Sequence, residues 1–398
     1  MTDIYIATHK KLGFNLPPIY KWVQVNAEKN GSWVGYLHDS DGENISCKNE
    51  SYCELTVLYR LWKQSKAEIQ GLCHYRRFLG KELTFSPCEI GNGICIKPPR
   101  IGKNVITESS ILTYLQDTDI LLPRDIGPYP FTVFEDLQRF VFLKDIVCII
   151  SVIEEEYPEY RESLWTILGS KNISYCNIFI SRREFVDQYC KWLFTLLEKI
   201  EKKINISDYD KNHKRVFGYL AEVLMNIFIH KNNIRTKTLN LLNLDEVPGP
   251  ISFKRRLWLF KENIFTVFGK PAWGSEYQHR RARFDYFKKR EESQPYYDSK
   301  SLCSYFQAIG SERTLRHEDD EGNVKIYSKF KSFRIMAFIV KERDMIPDIL
   351  IKASEFREEN QCFGEANITR AYVAFNPSMD DNRQAVKAGI TLFPIKLD

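Results

Sequence analysis

The residues best suited to chemistry stand together in His74-Tyr75-Arg76-Arg77, directly after the apolar run 69–73. The run predicts a short buried strand, and Gly71 within it permits a close backbone approach. Ligands of open α/β sheets bind at the carboxyl ends of strands. Guanidinium groups at such an end present planar donors that match phosphate oxygens. The segment therefore predicts a phosphate site, with a solvated turn as the alternative.

A second pair of cationic side chains follows the first predicted strand, which covers residues 3–8. His9 and Lys10 come directly after it, so they are expected at the same kind of sheet edge. A solvated loop is the alternative for both. Asn177 stands in a further predicted strand over 175–180, where its amide could bind a sugar or instead form a turn.

The best candidate for a general base is Glu222, because it is a lone carboxylate on the apolar helix predicted over 215–230. Desolvation on such a helix would raise its pKa towards values useful for proton transfer. The alternative is a buried ion pair with Arg215 or Lys214.

Metal ligands are sparse in the sequence. Asp117-Thr118-Asp119 has the letters of a metal-binding Asp-x-Asp, but it stands at the start of a predicted strand rather than at its end. The ten cysteines include no Cys-x-x-Cys pair, which argues against a zinc ribbon and favours reduced thiols. We therefore expect no cofactor and no metal requirement.

Composition describes a globular chain with a sizeable core, since 43% of its 398 residues are hydrophobic. The net charge of +5 does not by itself indicate nucleic-acid binding. No signal peptide is visible and no apolar run approaches the roughly 18 residues needed to cross a bilayer, so a cytoplasmic protein is expected.

Strands alternating with helices predict an α/β fold in three parts, over 1–245, 246–299 and 300–398. The middle part is a connector in which basic and aromatic residues interleave over 251–292, as at an anionic membrane surface or a nucleic acid. The last part is a small α/β unit with strands at 333–341, 369–375 and 390–395, and helices at 346–358 and 380–388. No Gly-rich dinucleotide fingerprint occurs in the chain.

A series of stretches has the order and spacing of a known family. They are 42–46, 48–49, 52–56, 59–63 and 71–78, with further matches at 4–10, 119–123, 177–180, 189–194 and 215–222. Over about residues 3–240 the chain resembles bacterial capsule, O-antigen and exopolysaccharide biosynthesis proteins. That family, long of unknown function, is read as galactofuranosyltransferases with a GT-A-like fold.

The resemblance implies a GT-A-like, Rossmann-type mixed sheet flanked by helices, and an inverting transferase using a UDP-sugar. The acceptor would be a lipid-linked glycan at an anionic membrane face, and no nucleic acid would be bound. Within the matching block, Asp39, Asn44 and Glu54 become substrate-binding candidates beside His9, Lys10, His74, Tyr75, Arg76, Arg77 and Asn177. Ser51 and Glu54 also fit a helix capping box, which is the alternative role for Glu54.

Three departures from the family pattern bear on acceptor choice and activity. Asp41 stands where relatives usually carry Thr, Val223 where they carry Arg, and Val141-Phe142 where a His is expected. Two other interpretations stay open: a nucleic-acid-binding or degenerate nuclease-like protein, and an inactive relative that only binds glycan.

Overall fold

The computed structural model describes most of the chain. Outside the described part lie residues 13, 82–88, 91–92, 97, 125–132, 138–139, 171–172, 245–298, 309–310, 321–323, 330–333, 340–369, 375–390 and 394–398. Two compact units are present, one formed by 1–129, 170–197 and the described part of 209–277, the other by 130–169, 198–208 and the described part of 278–398. The predicted boundaries at 245 and 299 flank a connector that lies outside the described residues, so they stay predictions.

The first unit is built on one mixed sheet. Its strands are β1 (Thr2–Thr8), β2 (Tyr20–Gln24), β3 (Leu37–His38), β4 (Ile69–His74), β5 (Arg77–Leu79), β6 (Glu89–Ile90), β7 (Gly93–Cys95), β8 (Ile120–Pro123), β9 (Phe179–Arg182), β10 (Thr236–Leu239) and β11 (Leu241–Asn243). Their order is β10-β8-β9-β4-β5-β11-β7-β6, while β1 pairs with β4 and β2, and β2 pairs with β3.

The centre of this sheet positions the cationic segment. β1 is buried along its whole length and runs parallel to β4, with Ala7 opposite His74. Gly71 lets β9 approach β4, since a Cβ there would lie 2.8 Å from Ile180 Cγ1 and 2.9 Å from the Phe179 carbonyl oxygen. The predicted close approach is confirmed. Because β1 and β4 are parallel, the residues after them meet at one edge.

Helices occur in both units. They are α1 (Ala27–Asn30), α2 (Asn49–Tyr52), α3 (Leu55–Gln64), α4 (Ile101–Asn104), α5 (Glu108–Asp117), α6 (Val133–Leu137), α7 (Leu143–Glu156), α8 (Arg161–Gly169), α9 (Arg183–Glu201), α10 (Val216–Lys231) and α11 (Ser299–Ala308). The helix predicted over 215–230 is confirmed as α10, which is apolar and mostly buried.

The helical spacing of Tyr52, Leu55 and Trp62 is interrupted at Cys53, whose φ is 52° and which separates α2 from α3. The capping box is therefore wrong. Ser51 lies inside α2 and donates to the Lys48 carbonyl, and Glu54 precedes α3 without capping it.

The second unit contains a sheet in the order β12-β13-β14-β15-β16, formed by Arg313–Glu318, Val324–Lys329, Arg334–Ile339, Arg370–Ala374 and Thr391–Phe393. The three strands predicted after residue 330 are confirmed, and their two predicted helices lie outside the described residues. In this unit Glu154 is buried and accepts a 2.6 Å hydrogen bond from Trp165 Nε1. Its neighbour Arg161 also bonds it, which compensates the buried charge.

Candidate active site

A buried tyrosine ring organises the cations at the edge of β1 and β4. The Tyr75 ring lies 4.7 Å from the ring of His9 and 4.4 Å from that of His74, measured between centroids. The Arg76 guanidinium lies 5.1 Å and the Lys10 ammonium 6.0 Å from the same centroid. The structure thus brings these predicted residues together, as parallel strand ends require.

These positive groups are close enough to affect one another. Burial, followed by neighbouring cations, lowers the pKa of His9; the cations are Lys10, Arg76, Arg215 and Lys211. The pKa of His74 is lowered further, again by burial first and then by Arg77 and Arg76. Both imidazoles therefore tend to be neutral, and the fixed charges belong to lysine and arginine. Such a concentration of like charge favours an anionic ligand.

A pair of carboxylates lies beside this cation cluster. Asn177 Nδ2 donates to Glu54 Oε1 at 2.8 Å and to the Gly218 carbonyl at 2.9 Å. Burial, and then the charge of Glu54, raises the pKa of Glu222 to about 8. The two carboxyl groups thus share one electrostatic environment, in which Glu222 holds a proton that it can exchange near neutral pH.

Unusual backbone geometry makes this meeting possible. Cys53, Cys176 and Asn177 all have positive φ values, of 52°, 82° and 50°. Gly218 lets α10 come close to the break before α3, since a Cβ there would lie 3.1 Å from Cys53 Sγ. The loops before α3 and β9 are therefore turned onto the first turn of α10.

Two arginines connect the carboxylate pair with the cation cluster. Arg77 Nη1 donates to Cys176 Sγ at 3.4 Å, and Arg215 Nε donates to Cys53 Sγ at 3.3 Å. The charges of both arginines lower the pKa of Glu222, against the larger effects of burial and Glu54.

The alternative for Glu222 was an ion pair with Arg215 or Lys214. Within the described residues Lys214 is paired with Glu50, at 3.5 Å, and Arg215 with the thiol of Cys53. Neither cation lies within ion-pair distance of the Glu222 carboxylate in this part of the chain. The pKa of Glu222 is therefore determined mainly by desolvation and by the charge of Glu54.

Two further predicted residues support the loop between β3 and α2 instead of joining the cluster. The buried Asp39 carboxylate accepts hydrogen bonds from the backbone of Asn26 and Ala27 and from the hydroxyls of Ser46 and Thr56, at 2.6–3.1 Å. Asn44 donates to the carbonyls of Ser40 and Gly42 and accepts from the Ser46 amide. These contacts account for both side chains without a ligand.

Asp119 of the Asp-x-Asp pattern has a structural role instead. Asp119 accepts from Arg235 at 2.8 Å (Nη2), 3.1 Å (Nε) and 2.9 Å (backbone amide), and these bonds lower its pKa. It precedes β8, which runs parallel to β4, so it lies at the opposite sheet edge from His74. Among the described residues no group of three His, Cys, Asp or Glu could hold a metal ion.

Sequence reasoning missed Cys53, Cys176 and Gly218, and it treated Arg215 only as a partner for Glu222. A usable signal was present, because 215–222 and 52–56 both belong to the matching stretches. Spacing alone gives no reason to expect that a thiol would contact each arginine. Cys47, Cys53, Cys73, Cys148, Cys176 and Cys190 carry no disulfide within the described part of the chain.

Departures from the family pattern fall at ordinary structural positions. Asp41 accepts from Arg60 Nη1 at 3.0 Å, while Val141, Phe142 and Val223 are buried apolar residues. No helix in the described part is long and apolar enough to cross a membrane.

A solved structure with a similar fold is that of the bifunctional glycosyltransferase WbbM in its apo form. The TM-score is 0.56 at 20% sequence identity, and the likeness covers 99% of this chain but 59% of that one. The likeness confirms the predicted GT-A-like α/β fold. The chain spans 59% of the length of that protein.

No curated protein matches the chain. A family model described as a domain of unknown function, DUF4422, matches residues 3–233. The match includes the cation cluster, the carboxylate pair and the first turns of α10, and it extends over more than half of the sequence. The chain belongs to the DUF4422 family.

Proposed function

We propose that this protein is an inverting glycosyltransferase that moves a hexose from a UDP-sugar to a lipid-linked glycan in surface polysaccharide synthesis. Galactofuranose is the first candidate for the hexose. The observation that carries the proposal is the placement of a proton-exchanging carboxylate pair, Glu54 and Glu222, beside a cation cluster at the carboxyl edge of a GT-A-like sheet. The similarity to a protein named as a glycosyltransferase agrees with it.

The cations suit the departure of a nucleoside diphosphate. When the bond between the sugar's anomeric carbon and the phosphate oxygen breaks, its electron pair leaves on the diphosphate. Fixed positive groups stabilise that developing charge without a bound metal. Arg76, Arg77 and Lys10 are the proposed groups, with His9 and His74 as hydrogen-bonding partners. Metal-independent transfer is part of the proposal.

Glu222 is the proposed general base. The acceptor's hydroxyl oxygen attacks the anomeric carbon from the face opposite the leaving diphosphate, which inverts the configuration there. The hydroxyl proton passes to the Glu222 carboxylate as the new carbon–oxygen bond forms. Base catalysis of this kind contributes about 10²–10⁴-fold to a rate.

Asn177 is the proposed contact for a sugar hydroxyl. The residue is 4% exposed, and its Nδ2 already donates to Glu54 and to the Gly218 carbonyl. Its Oδ1 accepts no hydrogen bond within the described residues. A buried acceptor of this kind is costly unless a ligand supplies a donor, and a sugar hydroxyl would do so.

The direct test follows UDP release by the purified protein from a panel of UDP-sugars, each with a glycan acceptor and with or without a chelator. We expect acceptor-dependent release from one donor, unchanged by chelation. A product retaining the donor's anomeric configuration would contradict the inverting mechanism. Absence of release with every donor, combined with glycan binding, would favour the inactive relative.

The nucleic-acid alternative would use Arg76, Arg77 and the basic stretch 251–292, and that stretch lies outside the described residues. A rise in melting temperature with UDP but not with an oligonucleotide would favour the glycosyltransferase over the nucleic-acid-binding protein. A ligand at 100 times its dissociation constant adds roughly 2.7 kcal/mol to stability.

A further inference from the structure

Arg215 is held in an uncommon way for a cation that merely stabilises a fold. Its Nε donates to a thiol, Cys53 Sγ, at 3.3 Å, and its guanidinium lies 4.9 Å from the centroid of the Tyr219 ring. Within the described residues it forms no ion pair, although Glu54 and Glu222 are near enough to interact with it electrostatically. Its neighbour Lys214, by contrast, is paired with Glu50.

A neutral thiol orients the guanidinium without cancelling its charge. Burial, then the charge of Glu54, raises the pKa of Cys53 to about 12, so the sulfur stays protonated near neutral pH. One N–H donates to the sulfur, and the guanidinium carbon lies over the Tyr219 ring. The remaining four N–H groups make no hydrogen bond in the described part of the chain, and the residue is exposed.

The position of Arg215 relates it to the cation cluster. Arg215 donates to Cys53, and the next residue, Glu54, accepts a hydrogen bond from Asn177. The residue before Asn177 is Cys176, which accepts from Arg77, close to the end of β4. Its charge also reaches His9 and His74, whose pKa values it lowers. A fixed guanidinium fork added to other cations suits a diphosphate, which accepts bidentate hydrogen bonds.

We propose that Arg215 is a further guanidinium of the anion site, that it binds the donor's diphosphate, and that Cys53 is the residue that positions it. The inference rests on the proposed function for the identity of the donor, but the anion itself is tested separately. Orienting the fork before the ligand arrives reduces the entropy lost on binding.

The test compares the affinities of UDP and inorganic pyrophosphate for wild type, Arg215→Gln, Arg215→Lys and the matched control Lys214→Gln. We expect Arg215→Gln to weaken both ligands roughly tenfold or more, because it removes charge-assisted hydrogen bonds. Lys keeps the charge without the planar fork, so its affinity should be intermediate. Lys214→Gln should stay within about twofold, as expected for an exposed ion pair.

Cys53 is tested with Gly and Ser. Gly removes the thiol and is the residue type that adopts φ 52° without strain, so Cys53→Gly should keep its melting temperature while weakening UDP binding several-fold. Ser restores an acceptor and should recover part of the affinity. A merely structural cysteine would instead lose stability and keep affinity. In Arg215→Gln, NMR titration should show the pKa of His9 raised, since one neighbouring positive charge is gone.

The outcomes separate the two proposals. Wild-type affinity for both ligands in folded Arg215→Gln would overturn this inference while leaving the proposed function intact. Wild-type protein that binds pyrophosphate through Arg215 but shows no preference for UDP would overturn the UDP-sugar donor and keep the anion site. Binding of neither ligand by the wild type would overturn both.

Discussion

The most discriminating prediction concerns Glu222 and combines stability with turnover. A carboxyl group whose pKa is about 8 in the folded protein and 4.5 ordinarily binds its proton more tightly when folded. Folding stability must therefore fall as pH rises from about 4.5 to 8, and the loss is complete above pH 8. Each pKa unit corresponds to 1.36 kcal/mol, so the upper limit of the loss is about 5 kcal/mol.

Glu222→Gln removes the ionisation and keeps the size of the side chain. The variant should match the wild type in stability near pH 4.5 and become progressively more stable than it up to about pH 8. The measurement is denaturant unfolding of both proteins at intervals between pH 4.5 and 9. Because the side chain is partly exposed, water reduces the difference below its upper limit.

Wild-type activity should rise with pH over the range in which stability falls. The ionised form is the base, so wild-type kcat/KM should rise about tenfold per pH unit below 8 and level off above it. Glu222→Gln should lose about 10²–10⁴-fold in turnover while keeping its affinity for UDP. Glu54→Gln retains the hydrogen bond from Asn177 but removes the neighbouring charge, so the rising limb should move to lower pH.

A more stable but inactive Glu222→Gln would distinguish a base from a structural residue. Wild-type turnover per folded molecule in this variant, or a flat pH profile in the wild type, would refute the reasoning. Loss of stability in the variant at pH 9 would show that the carboxylate is compensated by a partner, and that desolvation does not dominate.

Other predictions test the rest of the site. Arg76→Ala and Arg77→Ala should each weaken UDP binding more than about tenfold by calorimetry; unchanged affinity in the double variant would remove this anion site. Transfer should survive a chelator, and Asp119→Asn should cost about 1 kcal/mol or less in unfolding experiments with unchanged activity, since its ion pair is largely exposed; chelator-sensitive transfer would restore it as a metal ligand. The protein should sediment with phosphatidylglycerol vesicles less strongly as salt rises, since each Lys or Arg at such a surface contributes about 1 kcal/mol; no sedimentation at low salt would exclude the basic stretch as a membrane anchor.

Periodicity and strand ends were sufficient to predict the frame of the first unit. The apolar runs predicted β1 and β4, and the apolar segment 215–230 predicted α10. Each predicted strand placed its own cations at a carboxyl end, and the parallel pairing of β1 with β4 in the structure brings His9 and His74 to one edge. Those steps depend only on local pattern and on the geometry of parallel strands.

Local pattern was insufficient where tertiary contacts override it. Tyr52 and Leu55 continue a helical period across the break at Cys53, so nothing in the pattern indicates a positive φ there. A match to the family pattern likewise does not distinguish a residue that binds a ligand from one that supports a loop. The carboxylate of Asp39 shows this, because four protein donors already surround it.

The features that the sequence did not predict are each energetically unfavourable, and they lie together at the candidate active site. Cys53, Cys176 and Asn177 adopt positive φ, which costs of order 1 kcal/mol or more for a residue with a side chain. Ionised Glu222 is destabilised by desolvation and by Glu54. Sequence rules describe what lowers the free energy of a fold, so they fail where several costs are concentrated at one place. Here the unfavourable terms lie around two carboxyl groups next to a set of cations. Functional sites commonly combine such terms, because a geometry that suits a reaction reduces stability.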